Sequence, residues 1–331
     1  YAYLQTEISN PLVQSQSLIR HHGGLGYTYN SQPKYIEPFK KIIKTKSPWL
    51  AWIKDFNFNL RPSLLSFRAD IDRQFGKFIP RIINSYDTTY DKYFIFDRYY
   101  NLSWNLSKSL NVDFSAVNNA RIDEPEGAIN NAYKKKIVSN NFWSGGRNTL
   151  YTQKLTANYT LPTSKIPLTN WMTIRMAYTT TYNWIGASRL AISLGNIIEN
   201  SQERSVTGDF DCMQLYNKVP FLRKTNQPNN PTNTDNITDW QRVVGKLVTS
   251  LKHIGFQYTE TFNSRIPGFL KNADHVGNNL SNNAPGLDYV FGGQPSPYWL
   301  NRAAAKGWIT KDVNFNMLFQ QSFEQRLSIT A

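Results

Sequence analysis

Cysteine is nearly absent from this chain: Cys212 is the only one in 331 residues. A lone cysteine excludes an internal disulfide framework and any paired-cysteine metal site. Histidine is also scarce, with four in all. Nowhere do apolar residues run long enough to make a transmembrane helix. Transmembrane strands remain open, since each needs only ~9–11 residues of alternating character. Charge is sparse, at 18% of residues, and acids are the scarcer sign, with 23 Asp and Glu against 37 Lys and Arg and a net charge of +14. Such an excess suits nucleic acid, an anionic membrane surface or an acidic partner. The cations are scattered, with no stripe and no recognisable nucleic-acid fold, so no nucleic acid is expected as a partner. The chain opens on Tyr1 without a charged, apolar and small-residue leader, which reads as a fragment.

Aromatic residues are abundant: 19 Tyr, 19 Phe and 9 Trp. They fall in a pattern of period two. From Tyr100 to Ala116 the even positions include Leu102, Trp104, Leu106, Leu110, Val112 and Phe114. The odd positions are Asn101, Ser103, Asn105, Ser107, Ser109, Asn111, Asp113 and Ser115. The alternation recurs at Phe56–Arg61, Phe67–Asp72, Leu155–Leu161, Met172–Trp184, Ile254–Phe262 and Phe323–Ile329. Period two over so many segments predicts ten to a dozen half-buried antiparallel strands.

One residue breaks the apolar row, Lys108. A single strand from 100 to 116 would span about 56 Å at ~3.3 Å per residue and place that lysine mid-face, where a bilayer exacts roughly 2–4 kcal/mol. A hairpin with its turn at Ser107-Lys108-Ser109 keeps the apolar parity, sets Leu106 opposite Leu110, and moves the lysine into water or among head groups. Lysine-bearing turns are also expected at 161–171 and 250–253. Long polar loops are expected at 225–239 and 272–286, rich in Asn, Pro and Gly. Helical signals are few: a basic amphipath over 36–46, beside Trp49 and Trp52, and an Ala-rich turn within 299–308. No repeat of fixed period and no internal domain boundary is visible.

Local motifs that invite chemistry have blander readings. His21-His22-Gly-Gly lacks the lysine of a phosphate loop, and adjacent histidines point apart on a strand, so the stretch reads as a turn before Tyr27. Asp123, Glu124 and Glu126 around Pro125 read as an exposed turn rather than a glycosidase pair. Cys212, in the strand-like GDFDCMQLY, has no histidine pattern to make it a nucleophile and is expected to be buried. No catalytic residue, cofactor or metal is expected, and the chain is not expected to be an enzyme.

Alternation alone fits either a soluble β-sandwich or a transmembrane barrel. The polar rows are small and uncharged, as suits a hydrated lumen, and aromatics gather near strand ends, as in interfacial girdles. Candidate lumen-facing residues are Asn101, Ser103, Asn105, Asn111, Asp113 and Ser115. Candidate lipid-facing residues are Leu102, Trp104, Leu106, Val112 and Phe114.

The segment from 96 to 127, FDRYYNLSWNLSKSLNVDFSAVNNARIDEPEG, resembles the SprA/Sov family. So, in order, do LYTQKLTANYTLPTSKIPLTNW from Leu150, LGNIIENSQ from Leu194, GDFDCMQLYNKVPFLRKTN from Gly208, RIPGFL from Arg265, APGLDYVFGGQ from Ala284 and AAAKGWIT from Ala303. These are giant outer-membrane translocons of the type IX secretion system in Bacteroidota. The resemblance implies an all-β fold: an antiparallel transmembrane β-barrel segment, part of a very large barrel, with long loops and a few short helices. Residues 1–331 would be one continuous slice of that wall. The implied function is a protein-conducting channel in the bacterial outer membrane that exports folded cargo and, in some members, supports gliding motility. The implied partners are secreted cargo proteins, a periplasmic plug, outer-membrane partner proteins and outer-membrane lipid. The alternatives are a secreted β-rich glycan-binding or adhesion module, or another outer-membrane transporter barrel.

Overall fold

The computed structural model describes residues 1–43, 47–81, 88–226, 239–274 and 276–331. Ten strands carry the chain: β1 Ala2–Ile8, β2 Val13–Asn30, β3 Leu64–Pro80, β4 Thr89–Asn105, β5 Leu110–Arg121, β6 Arg147–Thr160, β7 Met172–Ile185, β8 Asn196–Asp211, β9 His253–Phe269 and β10 Gln320–Thr330. Between them lie α1 Ala51–Lys54, α2 Ala132–Trp143, α3 Cys212–Tyr216, α4 Pro220–Asn226, α5 Asp239–Val248, α6 Leu287–Val290, α7 Pro297–Ala305 and α8 Val313–Asn316. All ten strands form one antiparallel sheet in sequence order. The sheet is open, with β1 and β10 at its edges. No described helix is long and apolar enough to cross a membrane.

Seven of the strands, β3 to β7, β9 and β10, follow the alternation. The exceptions are local. Phe56–Arg61 alternates but makes only one isolated bridge, Ile36 to Phe58, because it runs along the sheet's end with no neighbour to extend a ladder. The histidine-glycine stretch is not a turn: His21–Gly26 lies inside β2, paired with Arg73 to Arg68 of β3. Gly24 belongs there because a Cβ would sit 2.3 Å from the Asp70 carboxylate across the ladder. The expected helix at 36–46 is not formed over its described part, where Ile42 and Ile43 close a turn on the Phe39 carbonyl; residues 44–46 lie outside the described residues. The helix comes later, where Pro48 opens a 3-10 turn that runs into α1. Cys212 is buried as expected but starts α3, with the Asp211 carboxylate capping the Gln214 amide at 3.1 Å.

Strand direction gives the sheet two ends. Connections 31–63, 106–109, 161–171 and 212–252 share one end; 9–12, 81–88, 122–146, 186–195 and 270–319 share the other. Short and long connections occur at both. Residues 227–238 of the expected loop at 225–239 lie outside the described residues. The ends differ in charge instead. By sequence, the first set of connections holds fifteen Lys and Arg against four Asp and Glu. The second set holds nine against seven. We call these the basic end and the capped end.

At the capped end, two connections fold back over one face of the sheet. Asn131 caps α2 through the Lys134 amide at 2.8 Å, and Phe142 lies 5.9 Å from Phe94 and 5.5 Å from Phe96. The 270–319 connection packs more deeply. Ser296 precedes Pro297 at the start of α7, whose Trp299 and Ala303 fall one turn apart and are both buried. Tyr289 lies between Tyr182 of the sheet and Trp299, at 6.0 and 5.7 Å between ring centroids. With Trp184, Ile198, Ile266, Phe269 and Trp308 these rings make the hydrophobic core, each fully buried apolar side chain contributing about 1.5–3 kcal/mol. The expected loop at 272–286 is irregular backbone, exposed over 280–283 and anchored to the protein by the buried Ala273, Asn278 and Ala284.

Candidate functional site

The strand pairing sorts the candidate residues cleanly. Asn101 pairs with Ser115, Ser103 with Asp113 and Asn105 with Asn111. All six therefore share one face. Leu102 pairs with Phe114 and Trp104 with Val112 on the opposite face. Leu106 lies just beyond β4, in the turn, although the register carried past Asn105 and Asn111 still sets it across from Leu110. The turn falls where expected, closed by the Ser107 amide on the Leu110 carbonyl at 3.0 Å.

Lys108 at this turn is held by protein. Its ammonium lies 2.7 Å from the Glu37 carboxylate and 5.6 Å from the Tyr35 ring, and its amide donates to Asn57 Oδ1 at 2.8 Å. Glu37 also receives Lys40 at 2.5 Å. These two ammonium groups hold its carboxyl down at about 2. Lys165, in the neighbouring turn, meets Asp55 at 3.1 Å. The turns are thereby stitched to the 31–63 connection.

The polar face is uncovered over much of its area. A groove of about 500 Å³ is lined by Ser66, Asn101, Ser103, Asp113, Ser115 and Thr156, among others. A second, of about 490 Å³, runs along Asn183, Glu199, Ser201, Asn263, Arg265 and Ser322. Both present hydroxyl and amide groups. The face is not free of charge, as alternation over β4 and β5 alone suggested. Asp113 and Lys154 line the first groove. Several of the face's ions stand in pairs: Arg68 with Asp70 at 2.8 Å, Arg175 with Asp209 at 3.0 Å and Arg265 with Glu199 at 3.0 Å. The signal was present in the sequence, since the partners have matching parity, but the register that joins them was not.

The opposite face divides along the strands. Toward the basic end it is apolar and partly bare, with Met176, Leu327, Ile329, Leu25 and Tyr27 exposed. The alternate residues of Met172–Tyr178 supply roughly 23 Å of such strand at ~3.3 Å per residue. Trp104 is half-covered there by the 31–63 connection and donates its indole N–H to the Asn59 carbonyl at 2.9 Å. Toward the capped end the same face sets Gln153, Asn200 and Ser264 among the core side chains Tyr182, Trp184 and Ile198 and carries the 270–319 connection.

That polar patch is what sequence reasoning missed. Gln153 donates to the Val290 carbonyl at 3.0 Å, Asn200 to the carbonyls of Tyr289 and Gly293 at 2.9 Å each, and Tyr178 to that of Phe291 at 2.5 Å. Tyr182 donates to Gly277 and Trp184 to Lys271, both at 3.0 Å. Irregular backbone packed against a sheet has carbonyls with no ladder to satisfy them, and these side chains supply the donors. Ser264 Oγ adds contacts to Asn200 Oδ1 at 2.6 Å and the Tyr289 hydroxyl at 3.0 Å. Burial pushes the Tyr289 phenol above its ordinary range. Gly277 and Gly292 allow the close approach: both have positive φ, and a Cβ would meet Tyr182 at 2.4 Å and Thr180 at 2.7 Å respectively.

Of the carboxylates of 121–127, Glu126 is exposed as expected, but Asp123 and Glu124 are drawn into ion pairs. Glu124, with its side chain 3% exposed, is paired with Arg73 at 2.7 Å, and Asp123 is paired with Arg147 at 2.9 Å. These pairs bind the 122–146 connection to β3 and β6. Among the described residues no cluster of His, Cys, Asp and Glu could hold a metal.

No family model matches the chain, and no curated protein matches it.

Proposed function

We propose that this chain is a segment of the wall of a protein-conducting β-barrel channel in the bacterial outer membrane, of the type IX secretion kind that its sequence resembles. The observation that carries the reading is one sheet with two unlike faces. Ten long strands present a row of hydroxyl, amide and paired ionic groups on one side and an uncovered apolar stretch on the other. A soluble sheet buries its apolar face against a second layer. Here the layer from 270–319 covers the capped end alone, which fits strands that leave the bilayer and continue beyond it. Bare edges at β1 and β10 call for further strands, because lipid demands a closed ladder. On this reading the job is geometric. Asn101, Ser103, Asn105, Asn111, Asp113 and Ser115 face a hydrated passage for secreted cargo, while Leu102, Trp104, Val112 and Phe114 belong to the outer side, with Leu106 at its margin.

Cysteine accessibility tests it. In full-length protein in native outer membranes, with Cys212→Ser, single cysteines are placed from Asn101 to Ala116 and exposed to an impermeant maleimide after the periplasm is opened. Labelling at odd positions and at Lys108, with silence at even ones, is the expected outcome. Labelling without parity, or protein recovered in the soluble fraction, would overturn the channel wall and favour the secreted binding module.

A further inference from the structure

The helix α5 is turned inside out for a helix of a soluble protein. Its apolar residues Trp240, Val243, Val244, Leu247 and Val248 follow the i, i+3, i+4, i+7, i+8 spacing of one face. Such a face ordinarily meets the core. Among the described residues it is largely open: Trp240 and Val243 are each 65% exposed and Leu247 is 73% exposed. The buried residues are Gly245 and Thr249, on the back of the helix, where α5 rests against α4. The helix is thus fixed to the protein by its small-residue side and presents its apolar side outward. Trp49, Trp52, Phe56 and Leu60, in another connection of the same end, are exposed as well.

Charge says what covers this surface. The connections of the basic end carry fifteen Lys and Arg against four acids, whereas the capped end is nearly balanced. Lys246 lies in the last turn of α5, and Lys218 and Lys252 stand on either side of it in sequence. A helix with an exposed apolar stripe, a tryptophan at its start and lysines beside it matches the physical requirements of an in-plane interfacial helix. We infer that α5 lies in the head-group layer, its apolar stripe among the acyl chains and the lysines of the basic end on lipid phosphates. The surface is thus a docking site for an anionic phospholipid leaflet. This rests on the membrane reading above and adds to it which end of the sheet grips the leaflet, by which helix, and which lipids it selects.

The test compares two labelled positions in the whole protein, reconstituted with Cys212→Ser in nanodiscs. An environment-sensitive fluorophore is placed at Leu247→Cys on α5 and, separately, at Met176→Cys on the apolar face of β7. Nanodiscs contain brominated phosphatidylglycerol or brominated phosphatidylcholine as quencher. The expected result is quenching at both positions, with the phosphatidylglycerol preference confined to Leu247. Lys246→Gln and Lys252→Gln should each reduce that preference roughly fivefold, the effect of one basic residue near an anionic surface. Quenching at Met176 with an aqueous spectrum at Leu247 overturns the inference and leaves the barrel wall standing. Absence of quenching at both overturns the membrane reading and this inference with it. A blue-shifted Leu247 probe that neither lipid quenches means that protein, such as a second copy of the chain, covers the helix, and also overturns it.

Discussion

Glu37 shows how much a single residue can depend on its partners. Its ordinary carboxyl value is 4.5, and the hydrogen bonds from Lys108 and Lys40 hold it at about 2. A carboxyl depressed in the folded state stabilises fully above the unfolded value, and the contribution disappears as pH falls through the folded one. The β4–β5 turn should therefore loosen from the 31–63 connection between about pH 4.5 and pH 2. Titration of the Glu37 carboxyl by NMR, with amide exchange at Ser107–Leu110, checks this; a midpoint near the ordinary value would show that the pair does not form. At the capped end, Asn200 Nδ2 donates to two carbonyls of the 270–319 connection. Asn200→Leu removes that donor from both; the Tyr289 carbonyl keeps the Gly292 amide at 3.1 Å, so the loss falls on the Gly293 carbonyl, and an unmet buried group costs about 1–3 kcal/mol. The expected consequence is faster proteolysis and hydrogen exchange within 270–319, with little change in β4 and β5. Neither role was legible in the sequence, because Glu37 and Lys108 are joined only when two distant connections meet, as are Asn200 and Tyr289. The burial of Glu124 was hidden for the same reason: Arg73 is remote in sequence.

Strand parity, in contrast, is local and was legible. Successive side chains of a strand point to opposite faces, so an alternating composition names both faces before any pairing is known. A test at this scale compares neighbours that differ only in parity. Leu102→Arg or Trp104→Arg should impair assembly in the outer membrane, at about 2–4 kcal/mol for a charge near the bilayer midplane and less near the interface. Ser103→Arg should be tolerated. Heat-modifiable migration of membrane-extracted protein gives the readout, and equal effects on both parities would contradict the assigned faces. Helices were less legible. The apolar residues of α2 do not gather on one face, and it is held by its Asn131 cap and by Phe142 against the sheet rather than by a strong stripe. Phe56–Leu60 erred in the other direction: alternation describes what a strand would look like, but a neighbouring ladder must be present to make one.

Taken whole, the molecule is a broad open sheet whose outermost strands offer unpaired backbone. β10 is exposed along its full length, and such edges seek partners. In the intact channel the outward-facing amides of β1 and β10 should be protected from exchange to the same degree as those of β5, whereas in this chain alone they should exchange freely. Hydrogen exchange with mass spectrometry distinguishes the two, and freely exchanging edges in the membrane would argue against closure into a larger barrel. The sequence by itself determined the all-β character, seven of the ten strands, the turn at Lys108 and the division into apolar and polar faces. These rest on near-neighbour patterns: period two in side-chain direction, and turn chemistry within a few residues. Only the tertiary structure decided that 270–319 covers the apolar face at one end, that arginines and acids of the polar face pair with one another, that the cations concentrate at the opposite end, and that α5 turns its apolar side outward. Each of these depends on which distant segments come together, and strand register and connection ends exist only once the sheet has formed.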